Sequence, residues 1–257
     1  MALLIALLCV AELLTLNVYL RERRDRKRRT LTSRWPIPPV SLEQVDPIFC
    51  PGPYGPGMET EVNFIGRGPI QAQGSTSDAE SWILAVLAKR ARCLFEFGTC
   101  TGRTAYLWAR NSPADARVIT ITLAPEQVNQ YHRDAADDDT DTAAALSESA
   151  YASFLYSGTP SESKIEQLFG DSKALDASRW TEQCDLVFVD GSHAYSYVKS
   201  DSEKALALVR PGGLVLWHDY AGPTHSPGVY RALNELREQL PLVRIADTML
   251  VAYRRPG

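Results

Sequence analysis

The chain has 257 residues and a net charge of −4, with 45% hydrophobic and 23% charged residues. Such a composition is ordinary for a globular protein, and the length suits one α/β domain with appendages or two small domains. The acidic balance argues against a chain that binds nucleic acid as a whole, while a homo-oligomer stays open.

Five cysteines (Cys9, Cys50, Cys93, Cys100 and Cys184) form no CxxC pair and are odd in number. That pattern favours reduced thiols over a disulfide framework or a zinc site.

Residues Ala2–Leu20 are almost wholly apolar. As a helix they would cover about 30 Å, enough for a transmembrane or membrane-anchor segment over 1–20. The juxtamembrane segment 21–33 follows, and its stretch Arg21–Arg29 holds seven bases against two acids. A secretory signal would place its charge first. The order found here holds the following domain on the cytoplasmic side. A helix lying on the membrane surface is the alternative, because Glu12, Thr15 and Asn17 dilute the run. Arg34–Gly57 carries seven prolines and three glycines. Residues 34–74 therefore read as a semi-rigid linker or an ordered wrap over the domain.

From residue 75 to 257 strands and helices alternate. Ser77 with Glu80 three residues on forms a capping box that opens an apolar helix. Short apolar runs predict strands at Cys93–Phe97, Arg117–Leu123, within Ser163–Gly170, at Cys184–Asp190 and at Leu214–Asp219. Helices are expected after Gly102, over Ser196–Arg210 and over Gly228–Gln239, with Pro211–Gly213 stopping the second. Two closing strands flank Asp247–Thr248, and a connection that short requires an antiparallel hairpin. The expectation is a doubly wound, Rossmann-like, mostly parallel seven-stranded sheet with a C-terminal antiparallel hairpin. The stretch between the second and third strands should contain a helix, and its acidic cluster Asp137–Asp141 reads as a solvated loop without chemistry.

Ligands of such sheets sit beyond the carboxyl ends of the strands. The first strand runs into the turn "EFGTCTGR", Glu96–Arg103. A dinucleotide fingerprint would need three glycines, but Gly98, Cys100 and Arg103 stand at its positions. A phosphate-binding loop would need a Gly-Lys-Ser/Thr that is absent, and Glu96 would repel phosphate. An acid there suits a cationic amine instead. S-adenosylmethionine (SAM) offers an ammonium, a sulfonium and no phosphate.

The E-x-G-x-x-x-G arrangement resembles motif I of the class I SAM-dependent methyltransferases. "FGDS" (Phe169–Ser172), "FVDGSHAY" (Phe188–Tyr195) and "RPGGLVLWHDY" (Arg210–Tyr220) extend the resemblance over about Ser75–Arg255, toward the small-molecule and sugar O-methyltransferase branch. The resemblance implies that Gly98, Thr99 and Gly102 admit the methionine part and Glu96 closes its amine network. It also implies that Asp171 and Ser172 meet the adenine and that Asp190 belongs to both cofactor and chemistry. The ribose acid of that family is replaced here by Thr122, with Glu126 the next acid. Asp190, His218 and Asp219 stand at the positions where relatives hold a divalent metal. The histidine shifts preference from Mg²⁺ toward a transition metal.

His193 is the candidate base for the acceptor hydroxyl, so the catalytic set is His193, Asp190 and His218. The implied function is O-methylation of a sugar, glycolipid or other small-molecule acceptor by a membrane-anchored enzyme with its domain in the cytoplasm. A non-catalytic, SAM-binding, membrane-anchored scaffold of the same fold is the alternative, motivated by Thr122 and His218. A dinucleotide oxidoreductase is a distant third.

Overall fold

The computed structural model describes residues 35–50, 60–62 and 76–257, together with Leu16, Tyr19 and Leu20. The candidate membrane segment and its basic cluster therefore lie, those three residues apart, outside the described residues. Among the described residues no helix is long and apolar enough to cross a membrane.

One eight-stranded sheet organises the domain, in the order β1-β7-β8-β6-β5-β2-β3-β4. Its central strands are β2 (Cys93–Phe97), β3 (Arg117–Thr122), β4 (Ile165–Phe169), β5 (Cys184–Val189) and β6 (Val209–Trp217), all mutually parallel. β8 (Val251–Arg254) runs antiparallel between β6 and β7 (Val243–Ile245). The expected seven strands and closing hairpin are thus present. The eighth strand, β1 (Pro39–Val40), comes from the proline-rich segment and pairs parallel with β7.

The longer helices are α1 (Asp78–Ala88), α2 (Arg103–Asn111), α3 (Asp139–Glu148), α4 (Tyr195–Leu208) and α5 (Pro227–Arg237). They cover both faces, as buried parallel strands require. Leu94, Val118, Leu186, Phe188, Leu214 and Leu216 fill one core. Phe95, Ile119, Ile121, Val187, Val189, Val215 and Trp217 fill the other. Alternate strand residues point to opposite faces, so these two sets follow directly from the pleat.

Pro211–Gly213 lies inside β6 rather than between helix and strand. The helix before it ends at Leu208, and Gly212 takes φ +77°, within the left-handed region. The strand therefore absorbs the turn that the glycines were expected to make alone.

Candidate active site

Strand order reverses between β2 and β5: the chain leaves β2 toward β3 and β4, then returns to build β5 and β6 on the other side. Beyond the carboxyl ends of these strands lies a cleft of about 520 Å³ of open space. Gly98, Cys100, Thr122, Asp171, Ser172, Asp190, Tyr197 and Glu148 are among its walls.

The glycine turn is shaped first by the protein's own packing. Gly98 has φ +100°, and a Cβ there would lie 2.1 Å from the Asp190 carbonyl oxygen. At Gly102, φ is +79° and a Cβ would lie 2.7 Å from the Tyr156 ring. Both positions exclude a side chain whatever the ligand. Gly98 and Cys100 face the cleft, whereas Glu96 and Thr99 are buried beneath it.

Glu96, Thr120 and Gln167 stand in register on three neighbouring strands. The Tyr156 hydroxyl donates to Gln167 Oε1 at 2.5 Å, and Gln167 Nε2 donates to Thr99 Oγ1 at 3.1 Å. Thr99 meets Thr120 at 2.7 Å, and Thr120 donates to Glu96 Oε2 at 2.6 Å. The chain of donors ends on Glu96. Burial still outweighs them and pushes that carboxyl up to about 8, with nearby Asp190 acting in the same direction.

At the ends of β5 and β6 the polar groups gather. Asp190 follows β5, and His218 and Asp219 follow β6. His218 Nδ1 lies 3.0 Å from Asp190 Oδ1 and 3.0 Å from Asp219 Oδ2. His193 Nε2 contacts Asp219 Oδ2 at 2.8 Å. Behind the ring, His218 Nε2 faces Glu80 Oε2 at 3.5 Å, a distance too long for a strong hydrogen bond. Asp219 is held at φ +57°, a left-handed backbone that aims its side chain back at the histidines. Burial opposes charge on His193, but Asp219 and its acidic neighbours prevail and raise it to about 9. For His218 the flanking carboxylates likewise overcome burial and raise it well above the ordinary range. Burial and Asp219 oppose ionisation of Asp190 and leave its carboxyl raised, although both histidines pull it down.

The methyltransferase domain family matches residues 95–220, which hold this entire constellation except Glu80. The chain belongs to the class I SAM-dependent methyltransferases. Among solved structures, the SAH-bound Podospora anserina methyltransferase PaMTH1 aligns over 92% of this chain and 96% of its own, at 15% identity and a TM-score of 0.51. The O-methyltransferase TomG of Streptomyces achromogenes, of tomaymycin synthesis and solved with SAM, covers 70% of this chain and 82% of its own. Its identity is 20% and its TM-score 0.49. At such identities the likeness to PaMTH1 speaks for the fold. No curated protein matches the chain significantly.

Within the methyltransferase, the sequence-marked residues divide into three groups. Gly98, Thr122, Asp171, Ser172 and Asp190 border the cleft. Asp190, His193, His218 and Asp219 form one contiguous cluster at its end. Glu96, Thr99 and Gly102 build the floor and its supports. Glu126 is exposed in the turn Pro125–Gln130 and does not border the cleft, so it does not stand in for an acid at Thr122.

The reading of Asp137–Asp141 as a solvated loop is corrected. Asp137 is buried and accepts from the Ser196 backbone N at 2.8 Å and the Ser196 hydroxyl at 2.6 Å. It thereby ties the segment before α3 to the first turn of α4. That segment brings Tyr131 onto Tyr197, with stacked rings 4.4 Å apart, and brings His132 onto Asp171. α3 also contributes Glu148, whose carboxyl burial pushes up beside Asp190 and Asp219. These residues carry no motif.

Proposed function

We propose that the domain transfers the SAM methyl group to a hydroxyl of a small-molecule acceptor, a sugar or glycolipid intermediate, at the cytoplasmic membrane face. One observation carries this reading: the cofactor cleft ends on Asp190, against which His193, His218 and Asp219 are gathered. The reaction needs an acceptor oxygen in line with the sulfonium–methyl bond and a group to take its proton. His193 takes that proton, and its Nε2 contact with Asp219 fixes the ring. Its raised pKa means that the neutral, accepting form grows as pH rises toward 9.

The same cluster fits a divalent ion. Three donor atoms, one each from Asp190, His218 and Asp219, lie within 4.8 Å of one another. Nδ1 stands 3.0 Å from both oxygens, the spacing of neighbouring ligands about an ion with bonds near 2.1 Å. Bound there, a metal would polarise the acceptor hydroxyl as a Lewis acid. One imidazole among two carboxylates suits Mn²⁺ or a later transition metal better than Mg²⁺.

Membrane placement is supported by the apolar run 2–20 ahead of Arg21–Arg29, and by exposed side chains at helical Leu16, Tyr19 and Leu20. Calorimetry with S-adenosylhomocysteine (SAH) tests the cofactor. Absence of heat at millimolar ligand overturns the proposal. SAH release from SAM in the presence of nucleotide-sugar or glycolipid hydroxyls tests the acceptor. Binding without turnover on any acceptor would favour the non-catalytic scaffold, for which the missing ribose acid at Thr122 speaks.

A further inference from the structure

Glu80 enters the sequence as a helix cap, and the fold gives its carboxylate two further neighbours. Ser77 N and Ser77 Oγ both donate to Oε2, at 2.9 and 2.6 Å. Met249 N, just before β8, donates to Oε1 at 2.7 Å. The side chain is 1% exposed, so α1 buries an acid that an ordinary capping box would leave in water. Its Oε2 also faces Nε2 of His218, an imidazole nitrogen that has no hydrogen-bond partner among the described residues.

We propose that Glu80 is a positioning residue for a metal ion: it keeps the His218 proton on Nε2, so that Nδ1 presents its lone pair beside Asp190 and Asp219. The inference rests on the metal reading of the proposed function. A neutral imidazole carries one proton, and whichever nitrogen holds it cannot ligate. A cation bound beside Asp190 and Asp219 would displace the proton from Nδ1, and the carboxylate behind the ring would then hold the remaining proton on Nε2 and raise the basicity of the ligating nitrogen. Glu80 is suited to that task because three donors hold it in place. It cannot swing round to the ion, and its charge stays behind the ring.

The test is titration of Mn²⁺ into the full-length protein with SAH bound, following the free Mn²⁺ signal by electron paramagnetic resonance. Glu80→Gln is expected to weaken Mn²⁺ binding roughly 10- to 100-fold while SAH affinity stays at the parent value. Glu80→Asp, which keeps the charge but draws it back from His218, is expected to weaken Mn²⁺ in the same way, and it serves if Glu80→Gln fails to fold. Ser77→Ala removes the cap and one of the three donors, and leaves the Ser77 and Met249 backbone N–H groups holding the carboxylate. It is expected to lower the melting temperature and leave Mn²⁺ affinity at the parent value. Parent-like Mn²⁺ binding in the Glu80 variants, or an equal loss in Ser77→Ala, overturns the proposal. A parent protein that binds SAH but no Mn²⁺ overturns it together with the metal reading, and leaves the methyltransferase reading standing. Failure to bind SAH would instead strike at that reading itself.

Discussion

His132 occupies the carboxylate of Asp171, with its Nδ1 2.6 Å from Oδ2. The other oxygen, Oδ1, accepts from the Lys173 backbone N at 2.9 Å. The acid that the motif assigns to the adenine is therefore already engaged by the segment leading into α3. The Lys173 ammonium strengthens the clasp by donating to the His132 carbonyl at 2.6 Å and to Ser196 Oγ at 2.6 Å. Removing His132 should free Asp171 for the cofactor without removing the acid. His132→Ala is expected to bind SAH at least as tightly as the parent. Asp171→Asn is expected to weaken it about tenfold, the size of one charge-assisted hydrogen bond. Calorimetric titration of both variants decides it, and a tenfold loss in His132→Ala would show that the clasp helps the cofactor.

Gly98 supports the crossing of β2 and β5 as well as the cleft. The Asp190 backbone N donates to the Phe97 carbonyl at 2.8 Å, which pulls the two strand ends together beneath the turn. With a Cβ only 2.1 Å from the Asp190 oxygen at φ +100°, Gly98→Ala must shift backbone rather than a side chain. We expect a loss of about 2–3 kcal/mol in unfolding free energy, read from urea denaturation without ligand. A ligand-only role for this glycine predicts parent-like stability.

The central strands were legible because each is a short apolar run with a turn behind it, and period and length together leave few alternatives. The acids Asp171, Asp190 and Asp219 were legible because they close those runs. Glu80 was visible only as a cap, since nothing in a helix N-terminus tells which strand end it will face after folding. Glu148 and Asp137 were hidden for a related reason. They sit in a polar stretch, and their surroundings come from distant segments: Asp137 is held by Ser196 of α4, and Glu148 lies near Asp190 and Asp219 beyond β5 and β6. The proline-rich segment gave two readings because composition excludes regular structure but does not say what the chain lies against.

Glu96 makes the fold sensitive to pH in a known direction. Its carboxyl is raised to about 8 from an ordinary value of 4.5, chiefly by burial. The unfolded chain therefore releases its proton first, and between those two values the folded state holds more protons. Stability falls as pH rises through that window and levels off above about 8. Glu96→Gln keeps an acceptor for Thr120 and cannot ionise. The variant is expected to match the parent near pH 5 and to be the more stable of the two near pH 9. Urea midpoints at both pH values measure this, and an unchanged gap between variant and parent would sink the assignment.

His193 titrates with the opposite consequence for activity. Its pKa is raised to about 9 by Asp219, so the ion pair stabilises the fold fully below the ordinary value of 6.5. That contribution is lost as pH climbs through 9. A base must be neutral, so kcat/KM should rise over the same interval while stability declines. His193→Gln should abolish the rising limb and lower turnover by about 10²–10⁴-fold. A rising limb that survives the substitution would move the base elsewhere, with Glu148 the next group at the cleft.

The segment before the domain is expected to behave as part of it. Trp35 packs edge-on against Tyr220 and Tyr230, with ring centroids 5.1 and 5.8 Å away. Gly222 leaves room for it, since a Cβ there would lie 2.8 Å from the indole. Arg244 N donates to the Pro38 carbonyl at 2.8 Å and Ala246 N to the Val40 carbonyl at 3.1 Å, which adds β1 to the sheet edge. Ile37, just ahead of β1, is fully buried. Prolines suit this position because an edge strand can spare the N–H groups that point outward. Truncation to Ile37→Ala removes a buried side chain from the same core as Trp217 and Tyr220. The expected cost is about 2–4 kcal/mol, measured as a lowered urea midpoint at unchanged slope. A detachable spacer would instead tolerate the change within about 0.5 kcal/mol, as exposed positions do.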